Sequence, residues 1–278
     1  MRILRALFDF YINSSVHVAF AVLALVLMTN HMFHNPFDWA IAGFVFFGTV
    51  FGYNFVKYES LFRRRKPIRI QIKAVFLLSI VSLLLSSYCF FELERITQIV
   101  AIVFFGLTLL YAVPFLPNKE NIRNWSGVKI YIVAFCWAGT TILLPLINIG
   151  TEISTDIFLK FGQRFLLVII LILIFEIIDL KQDVPSLMTV PQKIGVKRTK
   201  KLGYILLAVF CGLEFFNSNI DFNTNFQSSL LQLLLIFIIA IVIGVFTFFA
   251  HSNRSKYYTS FWVESIPVFW WVLVLVFG

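Results

Sequence analysis

Between Phe165 and Ile178 the chain reads FLLVIILILIFEII, an apolar run followed at once by Asp179 and Asp183 and then by Lys193, Lys197, Arg198, Lys200 and Lys201. In hydrocarbon every backbone N–H and C=O must find its partner inside the spanning structure, which leaves helices and closed barrels. A run this long without alternation is a helix. The same constraint extends to the whole chain, because 60% of its 278 residues are hydrophobic and only 13% are charged, against roughly a quarter charged in soluble domains. The fold class is therefore all-α, a multi-pass transmembrane helical bundle.

Hydropathy, broken at charged and Pro/Asn/Gly positions, predicts about nine helices, over 14–30, 37–57, 71–91, 96–116, 128–149, 158–180, 202–217, 228–250 and 260–277. These leave almost nothing for a soluble domain, so residues 1–278 are expected to form a single membrane domain. A coarse pseudo-repeat runs through it, with helices 1–4 over about 14–116, helices 5–8 over about 128–250 and a closing helix at about 260–277. The amino terminus has a basic start and an apolar stretch without a small-residue cleavage site, and reads as a retained first helix.

Alternating these spans across the bilayer puts 20 of the 23 Lys and Arg on one side and leaves only Arg95, Lys160 and Arg164 opposite. By the positive-inside rule the amino terminus is cytoplasmic and the carboxyl terminus outside, as expected of a multi-pass protein of the cell (inner) membrane. Topology thus accounts for the net charge of +9 without nucleic acid, and anionic headgroups of the membrane lipids are the natural partners of the basic loops. Cys89, Cys136 and Cys211 fall in apolar runs without metal-ligand spacing and read as buried free thiols. His17 and Glu264 are ionisable groups within apolar spans, where function is the first hypothesis; an interhelical hydrogen bond is the plainer reading for His17.

Glu176, Asp179 and Asp183 are spaced by three and four residues, which sets all three carboxylates on one helical face. Acids at the end of a membrane helix need a cation, a proton or water, so the stripe points to a divalent metal or a protonation site.

The DxxxD of Asp179 and Asp183, followed by Thr189, Pro191, Ile194 and Gly195, resembles the second aspartate-rich motif of the UbiA superfamily of membrane prenyltransferases. Leu187 stands about where that family has Gly, and Glu176 extends the motif upstream. A second likeness is LYAVPFLPNKENIRNWSGVK, with Tyr111, Pro114, Pro117, Lys119 and Arg123 closing the fourth span before a basic loop. The family's first motif, NDxxDxxxD, keeps only Asn54; Phe55, Tyr58 and Phe62 occupy its acidic positions, with Lys57 and Glu59 as new charges.

The resemblance implies a UbiA-like bundle that moves an isoprenoid chain from its diphosphate to a lipophilic acceptor, an aromatic one by the family's habit. It implies Mg2+ on Asp179 and Asp183 as the catalytic carboxylates, with Glu176 and Asn54 assisting at the metal. Lys57, Tyr111, Lys119 and Arg123 are the implied substrate-binding residues. With the first motif gone, Lys57 either takes part of the phosphate charge or pairs with Glu176 or Asp179 across the bundle. The alternative function is a non-catalytic lipid-binding descendant or a small-molecule transporter.

Overall fold

The computed structural model describes residues 2–63, 70–112, 127–183, 187–217 and 226–277, without the side chains of 59–63, 111, 112 and 226. The described residues form helices and the short connections between them. In chain order the helices are α1 (Arg2–Asn13), α2 (Val16–Met32), α3 (Trp39–Arg63), α4 (Ile70–Phe91), α5 (Arg95–Ala112), α6 (Val128–Ala138), α7 (Leu144–Ile149), α8 (Thr155–Asp179), α9 (Val190–Ile194), α10 (Val196–Glu214), α11 (Phe226–Phe249) and α12 (Ile266–Phe277). A π-helical turn at Gly139–Leu143 joins α6 to α7, and another at Tyr258–Val263 precedes α12.

Six helical stretches among the described residues are long and apolar enough to cross a membrane: 39–58, 70–91, 128–149, 155–179, 227–249 and 258–277. The bent pair α1–α2 makes a seventh if it counts as one span. Of the remaining two stretches read from hydropathy, α5 has a shorter apolar length, Arg95–Leu110. The other, α10, opens with Lys197, Arg198, Lys200 and Lys201, which shortens its apolar part.

The amino-terminal segment differs from the single first helix expected. It forms a separate helix, α1, set at 55° to α2. The break falls at Ser14–Ser15, where Ser15 takes a left-handed backbone with φ 60°. That conformation ends a helix, and no Gly or Pro announces it.

α8 is the most enclosed of these stretches, with 67% of its most apolar window buried. Its Leu167, Ile170, Ile174, Ile177 and Ile178 form the main core with Leu25 and Met28 of α2, Phe210 of α10, Ile239 and Ile243 of α11 and Trp270 of α12. The π turn beside α8 has a local cause. Pro145 has no N–H to offer the carbonyl of Thr141, and the buried Thr29 hydroxyl of α2 donates to it instead at 2.7 Å. At the same turn a Cβ on Gly139 would lie 1.9 Å from the Phe104 ring, so only glycine lets α5 approach this closely.

Lys160 and Arg164 lie inside α8 and are buried, away from the outer loop that charge counting suggests. Lys160 Nζ reaches both oxygens of Glu214 at 2.7 Å. Gln163 and Asn217 donate to the same carboxylate at 2.9 and 3.1 Å. Arg164 donates to the Leu25 carbonyl at 3.1 Å, and its guanidinium sits 5.9 Å from the Trp270 ring centroid.

Candidate carboxylate site at the end of α8

Glu176 and Asp179 lie in the last turn of α8, and Asp183 follows in the turn beyond it, its amide donating to the Asp179 carbonyl at 2.9 Å. The chain after them folds back: Thr189 starts the short helix α9, its amide donating to Gln192 Oε1 at 2.9 Å, the helix-start contact that the sequence writes as TxxQ. Gly195, at φ 80° and ψ 155°, then turns α9 directly into α10, a conformation open essentially to glycine alone. These are the Thr, Pro and Gly of the recognised motif, and their structural task is this reversal.

Glu176 anchors the reversal. It is buried, and its Oε2 accepts the Val190 amide of α9 at 2.9 Å. Its Oε1 lies 2.8 Å from the ammonium of Lys129, the second residue of α6, and the two form an ion pair. Asp179 is within electrostatic range of both Asp183 and Lys129. Asp183 lines a cleft of about 680 Å³ with Leu180, Lys181, Met188, Gln192 and Lys193. An acid and two lysines therefore face one opening beside the stripe.

The tip of α3 is engaged elsewhere. Asn54 is buried; its amide donates to the Ser14 carbonyl at 2.9 Å and to Ser79 Oγ at 3.0 Å, and its oxygen accepts from Ser15 at 2.8 Å. Lys57 Nζ and Tyr58 Oη both donate to the Asn13 carbonyl, at 3.1 and 2.9 Å. Phe55 stacks on Phe51 with centroids 6.0 Å apart. Residues at the first-motif positions thus satisfy the free carbonyls at the end of α1, where a cation also suits the helix dipole. Lys57 is in electrostatic range of Glu264 on the closing segment. Among the described residues no hydrogen bond or ion pair joins Asn54 or Lys57 to Asp179 or Asp183. Lys119, Arg123 and the side chain of Tyr111 lie outside the described residues.

Lys129 was not singled out from the sequence, where it is one base among those on the basic side. Its position in the first turn of the fifth span was the available signal. His17 is buried at the α1–α2 bend, with Tyr11 Oη at 2.8 Å from Nδ1 and the Phe261 carbonyl at 3.0 Å from Nε2, an interhelical bridge.

Mg2+ takes hard oxygens, commonly one or two carboxylates completed by phosphate and water. Asp179 and Asp183, one turn apart, supply such oxygens, and the Glu176 carboxylate near them is paired with Lys129. No cluster of three or more His, Cys, Asp or Glu forms a complete cage among the described residues. The set fits one ion shared with a ligand's oxygens.

A many-helix membrane bundle built around one central helix, with paired carboxylates where that helix ends, defines the class. The chain has the fold of the UbiA superfamily of membrane proteins. Over 95% of its length it superposes on a UbiA homologue from Aeropyrum pernix K1, in the apo form, with a TM-score of 0.61 and 14% identity, covering 97% of that chain. A UbiA homologue from Archaeoglobus fulgidus, bound to GPP and Mg2+, gives 0.55 and 14% identity over 99% of both chains. A digeranylgeranylglyceryl phosphate synthase gives 0.55 and 15% identity, covering 99% of this chain and 97% of that one. No family profile and no curated protein matches the sequence itself.

Proposed function

We propose that the protein is a divergent UbiA-type prenyltransferase, one membrane domain with a four-helix pseudo-repeat, moving an isoprenoid chain from its diphosphate to a lipophilic, aromatic acceptor. The observation that carries the reading is the meeting of chain-length similarity to UbiA structures with the DxxxD and its TxP–IG reversal at the end of the central helix. The amino terminus is cytoplasmic and the protein resides in the inner membrane, which puts the carboxylates where water-soluble diphosphates are supplied.

Asp179 and Asp183 hold the magnesium, which when bound neutralises charge on the departing diphosphate. Glu176 keeps α9 against α8 and so fixes the direction of the two aspartates. Lys119, Arg123 and Tyr111 are the residues assigned to the phosphates by the family resemblance, and Lys57 and Asn54 hold the α3 tip to the α1–α2 bend. Apolar walls exclude water from the allylic centre, so the electrostatic contribution of these side chains is undiluted. Purified protein in nanodiscs is expected to release diphosphate from a labelled prenyl diphosphate only with magnesium, and Asp179→Ala and Asp183→Ala are each expected to abolish release. Release that survives both substitutions defeats the assignment.

The engagement of Asn54 at the α1–α2 bend favours the second reading, a lipid-binding descendant or small-molecule carrier without turnover. Retention of bound prenyl lipid with no diphosphate release under any metal would select it.

A further inference from the structure

The acidic stripe already contains a cation. Lys129 enters it from α6, 2.8 Å from Glu176 and within electrostatic range of Asp179, and it is mostly covered, with 17% of its side chain exposed. The contact with Glu176 Oε1 at 2.8 Å occupies at most one of its three N–H groups. A lysine held this way is charge-matched to the stripe and keeps donors for a further partner. The α3 positions that would carry further carboxylates hold Phe55, which stacks on Phe51, and Tyr58, which donates to the Asn13 carbonyl at the end of α1. The oxygens present suit one divalent ion, whereas a diphosphate carries more charge than one such ion cancels.

We infer that Lys129 is a built-in cation of the diphosphate site, standing where a second divalent ion would otherwise be required. The inference rests on the prenyl-diphosphate reading above and specifies how that site is charged. When the ligand enters, the ammonium turns from Glu176 Oε1 to a phosphate oxygen, and Glu176 keeps its bond to the Val190 amide, so α9 stays in place. Lysine suits the task because its three rotatable donors redirect without moving the helix that bears it.

The test uses the full chain in nanodiscs with geranyl S-thiolodiphosphate, an analogue that ionises too slowly to turn over, and Mn2+ counted by paramagnetic resonance. The wild type is expected to bind one Mn2+ per chain in the presence of the analogue. Lys129→Met is expected to weaken analogue binding by about 10- to 100-fold, the range for losing a charged hydrogen bond, while K129R keeps most of it. Since K129M strands Glu176, the double variant K129M/E176Q is measured beside it. A double variant that unfolds at the wild-type temperature and binds more weakly than Glu176→Gln alone supports the inference. Two Mn2+ per wild-type chain, or wild-type affinity in the folded double variant, overturns it and leaves the prenyl-diphosphate reading standing. A wild type that binds no analogue at any Mn2+ concentration overturns both.

Discussion

Replacing Lys160 by Met tests the buried polar cluster that ties α8 to α10. Glu214 is 2% exposed and accepts from Lys160 at 2.7 Å on each oxygen, with Gln163 and Asn217 adding one neutral donor each. The substitution removes the only charged donor and leaves a carboxylate among apolar groups on two amides. Breaking a buried pair from one side costs about 3–5 kcal/mol, and the two remaining amides hold the loss nearer the lower figure. At about 2–4 °C per kcal/mol for a chain approaching this size, the midpoint should fall by roughly 6–12 °C. The double variant K160M/E214L removes both charges and should recover most of that loss, because well-packed apolar replacements of buried pairs are often neutral. Thermal unfolding in detergent micelles, followed by tryptophan fluorescence, measures both. The site lies 19 residues from Asp179 along α8, roughly 28 Å at the helical rise, so ligand binding at the carboxylate stripe should survive in molecules that remain folded. A K160M midpoint within 2 °C of wild type, or a double variant no better than the single, would refute the paired-charge account.

Two further outcomes are expected. Gly139→Ala should lower the midpoint by an amount matching the 1–3 kcal/mol typical of overpacking, and Phe104→Leu in the same chain should restore it, since the Phe104 ring is what the new methyl meets. Tyr257 donates to Asp9 of α1, and this bond pushes its phenol above the usual tyrosine value. A raised folded value means that the contribution is complete below the ordinary pKa near 10 and is lost as pH climbs through the folded value. Hydrogen exchange should therefore show α1 protected at pH 7–9 and released above about 10, whereas Tyr257→Phe should loosen it throughout.

The span positions were legible because hydrophobic thickness is a property of each segment alone. The enclosed position of α8 suits its run, which is apolar nearly all round. What escaped the sequence depends on pairs of distant residues. The Ser14–Ser15 break is stabilised by Asn54 and by Lys57 and Tyr58 acting on the end of α1, and nothing in SSVH announces it. Lys160 and Arg164 look like outer-loop bases until Glu214 and Trp270 are brought beside them. At the stripe, the expectation of one helical face reaches Glu176 and Asp179, since α8 ends before Asp183, and the motif's glycine marks the turn at Gly195. Neither disclosed that a lysine from another helix would reach Glu176, because that contact is made only when α6 packs on α8.

Thr29 and Pro145 carry a consequence for how such chains diverge. The hydroxyl of one is the substitute for the amide that the other lacks, so the two positions form a single inherited choice spread over separate spans. A lineage that restores an ordinary amide at 145 frees position 29 to drift to alanine or valine, while one that loses the threonine first must pass through an unmet carbonyl in the middle of the bilayer.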